Sequence, residues 1–141
     1  MPLIDTQLIL KKVKFIEKDL NRLKKYKDLT FDKYMADDLI RYSIERMLEK
    51  ITGRIIDINY HILKTEYEIL PEDYYNSYVE MGKNKVVDEK LANEMASAAG
   101  LRNALAHEYD ELDDKKVFQS INISLVEVPK YLSAVIKFLD K

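Results

Sequence analysis

Apolar residues first recur at Ile9, Val13, Ile16, Leu20 and Leu23, steps of four, three, four and three that lay one stripe along an α-helix. The pattern predicts a first helix over residues 3 to 27. A second stripe, Ile40, Ile44, Leu48, Ile51, Ile55, Ile58 and Ile62, predicts a helix from 31 to 65, with Thr30 as its cap and Lys33 where a glutamate would complete a capping box. At about 1.5 Å per residue this helix is about 50 Å long, so it is expected to protrude, bend near Thr52-Gly53 or lie against a second chain. Pro71 and Gly82 bracket a short third helix. Val87, Leu91, Met95 and Ala98 mark one face of a fourth, 86 to 106, whose small residues "ASAAG" let a neighbouring helix approach closely. A fifth, 114 to 139, contains Pro129, which should kink it, because proline removes one donor and crowds the carbonyl four residues back.

Only three Gly and three Pro interrupt 141 residues, too few for the many turns of an all-β fold. The expected fold is therefore all-α, a bundle of about five helices in one domain spanning 1–141. Hydrophobic residues at 47% and charged residues at 34% are the balance of a globular protein. The absence of cysteine excludes a disulfide framework and a thiolate metal site. No apolar run reaches the roughly 18 residues of a membrane span, and the first residues lack the order of a signal peptide, so a cytoplasmic protein is expected. Net charge is −2, no general sign of nucleic-acid binding. Residues 11 to 27 differ: eight cations, Lys11, Lys12, Lys14, Lys18, Arg22, Lys24, Lys25 and Lys27, stand against Glu17 and Asp19. Such a face either attracts phosphate or is simply solvated.

Chemistry concentrates in "GLRNALAHEYDELDD", residues 100 to 114, which holds one of only two histidines. Arg102 and His107 lie five residues and about 140° apart on an ideal helix, within mutual reach if the turn loosens. An imidazole that titrates near neutrality can take the proton of a ribose 2′-hydroxyl, and a guanidinium can fork onto the phosphate oxygens. Asn103 adds an amide donor. The same residues also fit a plain helix end, with His107 as a cap, Arg102 paired to Glu108 or Asp110, and Tyr109 packed on the bundle. Asp57 and His61, one turn apart, make a hydrogen-bonded brace for the second helix or line the cleft as a second imidazole; two ligands are too few for a metal. Tyr74, Tyr75 and Tyr78 pack the short helix onto the bundle or stack bases.

"RNALAHEY" resembles the R-(four residues)-H-x-Y signature of HEPN domains, and specifically of the HepT toxin family. "RYSIERMLEKITGRIIDINYHIL", with Arg41, Glu45, Arg46, Asp57, Asn59 and His61, is similar to that family's second helix. "YVEMGKNKVVDEKLANEMASAAGLRNALAHEY" is similar to the helices leading into the motif, and the resemblance covers nearly the whole chain. It implies a HEPN-like bundle that acts as a homodimer and cleaves RNA without a metal or other cofactor, with Arg102 and His107 as the catalytic pair and Asn103 in support. It also implies a partner, a minimal nucleotidyltransferase antitoxin of the MntA type, that transfers AMP to Tyr109 and can join the dimer in a larger complex. The alternative is a non-catalytic helical module that binds a nucleotidyltransferase and its substrate.

Overall fold

A computed structural model describes residues 3–107 and 112–141, with the backbone alone at 106 and 107. The described chain is helical, without strands. Helices run over Thr6–Leu23 (α1), Phe31–Ala36 (α2), Asp38–Tyr67 (α3), Tyr74–Lys83 (α4), Glu89–Met95 (α5), Ala98–His107 (α6) and Asp114–Leu139 (α7).

The apolar stripes form the core. Ile9, Val13, Ile16 and Leu23 of α1 pack with Ile44, Leu48, Ile51, Ile55, Ile58 and Ile62 of α3, all buried. The helix α3 is central: α1, α4, α6 and α7 all lie against it. It runs unbroken through Thr52-Gly53, and at 30 residues spans about 45 Å.

Two expected helices are each divided. Thr30 caps α2 by accepting from the Lys33 amide, as its position suggests, but α2 ends after six residues. Asp37 turns extended and its carboxylate accepts the Ile40 amide, which starts α3 afresh. Arg41 reaches back to the Met35 carbonyl and so satisfies the end of α2. The division between α5 and α6 has a similar cause. The Ser97 hydroxyl donates to the Glu94 carbonyl, and the Ala99 amide bonds Ala96 three residues back, tightening the turn.

Gly82 does not end its helix in the expected way. A Cβ there would lie 2.9 Å from Ala92 Cβ and 3.1 Å from Glu89 Cα, so glycine serves the close approach of α5 to α4. The left-handed residue beyond the helix is Lys85, with φ 60°. α7 is continuous through Pro129, which is exposed, while Val128, Tyr131 and Leu132 beside it are buried.

Buried polar groups knit three helices at one point. The Tyr131 hydroxyl of α7 donates to Asn59 Oδ1 of α3, and Asn59 Nδ2 donates to Ser77 Oγ of α4 at 3.2 Å. Ser77 in turn donates to the Tyr74 carbonyl at 2.7 Å. Asn59 and Ser77 are fully buried, so each bond satisfies a group that would otherwise be stranded.

Candidate functional site

The helix α6 carries Arg102, Asn103 and His107 along one regular segment, so the turn does not loosen before His107. Positions 102 and 107 then stand about 140° apart around the helix and about 7.5 Å apart along it.

Arg102 is half-buried between α6, α3 and α4. Its guanidinium carbon lies 5.7 Å from the centre of the Tyr74 ring, and Tyr74 is itself met edge-on by Tyr60, ring centres 6.1 Å apart. A cation over a ring face is oriented by the ring quadrupole without using its N–H donors, which stay available for an anion. Gly53 of α3 lies beside it: a Cβ built there would meet Arg102 Nε at 3.7 Å, an ordinary van der Waals contact. Asn103 is half-buried on the same helix. Tyr109 and its neighbours Glu108, Asp110 and Glu111 lie outside the described residues, and with them the expected Arg102 pairs to Glu108 or Asp110. Of the acidic run, Asp113 caps α7 by accepting the Lys115 and Lys116 amides, and Asp114 begins that helix.

Asp57 and His61 do not form the expected brace. Asp57 pairs with Lys12 of α1 at 3.3 Å, and His61 Nε2 accepts the Asp5 amide at 3.0 Å. Each thus fastens α1 or its approach to α3, because α1 supplies a cation and an exposed N–H opposite them. Among the described residues no group of three His, Cys, Asp or Glu could hold a metal ion. The three tyrosines divide: Tyr78 is buried, Tyr74 lies under Arg102, and Tyr75 is exposed. Tyr74 and Gly53 were visible as residues, but only the packing of three helices makes them neighbours of Arg102.

On another face of α6 a cavity of about 500 Å³ opens between α3, α5, α6 and α7. Glu94 and Glu127 both line it. Burial, then the Glu94 charge and a hydrogen bond to it, push the Glu127 carboxyl above its ordinary value. A carboxyl raised in the folded state contributes stability below its unfolded pKa, and that contribution is lost as pH rises through the folded value. Glu127→Gln should therefore raise the melting temperature at pH 7, with a gain that shrinks toward pH 4. Calorimetry at both values checks this, and an equal shift at both would refute it.

The ribonuclease HepT-like family model matches residues 16–135. A tRNA nuclease HepT of Aphanizomenon flos-aquae is 32% identical over 136 residues, 96% of this chain and 92% of that one. An mRNA nuclease HepT of Shewanella oneidensis is 22% identical over 91% of this chain and 96% of its own. The fold matches the tri-AMPylated Shewanella oneidensis HEPN toxin in complex with MNT antitoxin, with a TM-score of 0.81 at 22% identity, covering 97% of this chain and 99% of that one. Among the described residues no helix is long and apolar enough to cross a membrane.

Proposed function

Because the chain belongs to the ribonuclease HepT-like family, we propose that it is a toxin endoribonuclease that cleaves RNA without a metal and is silenced by AMP transfer. The observation that carries this reading is the motif helix α6, with Arg102 oriented over Tyr74 and His107 about 7.5 Å further along.

In the proposed reaction a neutral His107 imidazole accepts the proton of a ribose 2′-hydroxyl. The 2′-oxygen bonds to phosphorus, the P–O5′ bond breaks, and the leaving oxygen takes a proton from an imidazolium. Arg102 pairs with the non-bridging oxygens and stabilises the charge that gathers there. Asn103 adds a neutral donor. One step needs a base and the other an acid. In a homodimer that faces two α6 helices across one cleft, the two copies of His107 fill these roles together. Cleavage of labelled RNA by the purified protein, absent in His107→Ala, tests the activity, and sedimentation at micromolar concentration tests the dimer.

The partner in this reading is a minimal nucleotidyltransferase of the MntA type. It catalyses attack of the Tyr109 hydroxyl on the α-phosphorus of ATP, with pyrophosphate leaving. The added phosphate carries negative charge and bulk to the cleft that RNA must enter. Tyr109→Phe should retain cleavage yet stay unmodified and uninhibited when incubated with the transferase, ATP and Mg²⁺. Intact mass and cleavage assays measure both, and full catalytic inhibition of Tyr109→Phe would remove Tyr109 from the mechanism.

A further inference from the structure

We propose that a basic cleft between α1 and α3 is a binding site for the sugar-phosphate backbone of single-stranded RNA on its way to Arg102. The proposal rests on the ribonuclease reading above and adds to it a second site, made of residues outside the motif.

The cleft, about 560 Å³, is lined by Arg22 near the end of α1, Lys25 in the 3-10 turn that follows it, and Arg46 and Lys50 from α3, with Asp19 the single carboxylate among its lining residues. Four cations against one acid leave a surplus of three positive charges. Asp19 is already held. It is 2% exposed, and Arg54 reaches its Oδ2 at 2.8 Å from outside the cleft lining, while Arg22 and Lys50 stand at 3.4 and 3.6 Å. Arg46 also meets Glu49 at 3.2 Å, but its side chain is 67% exposed, so that surface pair is weak and readily exchanged for a phosphate. Tyr42, 61% exposed, adds a ring at the border on which a base can stack.

Helical register connects the cleft with the motif. Around α3, positions 42, 46, 53 and 60 fall within about 40° of one another, opposite the buried stripe of Ile44, Ile51, Ile58 and Ile62. Gly53 is where Arg102 meets α3, and Tyr60 is where Tyr74 does. Arg46 and Gly53 are about 10 Å apart along the axis. One side of α3, exposed at Tyr42 and Arg46 and half-buried at Gly53 and Tyr60, thus leads from the cationic cleft to the guanidinium of the motif, and a strand lying along it meets positive charge at both ends.

The test is binding of a fluorescent single-stranded RNA to His107→Ala protein over a salt series, compared with the same protein carrying Lys25→Ala and Arg46→Ala. Neither of those side chains is bonded to Asp19, so the contact between α1 and α3 stays intact. Losing two phosphate contacts should weaken binding about tenfold and reduce the slope of log K against log salt by about 1.4. Lys14→Ala with Lys18→Ala removes equal charge from the exposed part of α1 outside the cleft and should leave the slope unchanged. An unchanged slope in the cleft pair, or an equal fall in the Lys14 and Lys18 pair, overturns the site while leaving the ribonuclease reading in place. Loss of affinity for the nucleotidyltransferase with RNA binding intact overturns it too. RNA bound by the cleft but never cut by the wild type would instead remove the ribonuclease reading and keep the cleft.

Discussion

Arg102→Ala and His107→Ala should each reduce RNA cleavage by about 10²-fold or more, with melting temperature and helical content close to wild type. The magnitude follows from removing a preorganised charge or a proton acceptor that acts on the transition state. Arg102 is half-buried and lies on Tyr74, so its loss removes a ring contact without emptying the core. Arg102→Lys tests the role of the planar fork, because an ammonium keeps the charge but cannot bridge two phosphate oxygens. It should fall between wild type and alanine. Rates measured at saturating RNA, with circular dichroism on the same preparations, distinguish a chemical defect from misfolding. Cleavage near the wild-type rate in either alanine variant would contradict the site.

The largest effect on stability is expected at Asn59, a buried residue outside the motif helix. Asn59→Ala leaves the buried Tyr131 hydroxyl only the Ile55 carbonyl at 3.4 Å, removes the donor to Ser77 and leaves a void at the junction of α3, α4 and α7. The loss of two buried hydrogen bonds together with a cavity costs about 3 kcal/mol. For a chain of this size that corresponds to a melting temperature lower by about 9 °C. Thermal unfolding followed at 222 nm measures it. A shift under 2 °C would mean that the three helices do not depend on this network.

The stripes of α1 and α3 were legible in the sequence because burial follows helical period: Ile44, Leu48, Ile51, Ile55, Ile58 and Ile62 are all buried. The breaks at Asp37 and at Ala96-Ser97 were not legible. The apolar period continues across both, and a short polar side chain competing for backbone groups decides them. Asp19 is a related case. In a run of eight cations it reads as one more solvated charge, yet it lies on the inner side of α1 and three cations from two helices converge on it. Arg102, Asn103 and His107 were legible as a motif, since they share one short segment. The ring beneath Arg102 and the glycine beside it come from α4 and α3, and only tertiary packing joins them.

The central claim is that this chain cuts RNA with its own side chains. Incubation of labelled RNA with wild type and with His107→Ala, each in excess EDTA, examines it most directly. The account predicts that wild type cleaves at the same rate with and without EDTA and that His107→Ala leaves the RNA intact. Cleavage abolished by EDTA, or equal cleavage by both proteins, would contradict it.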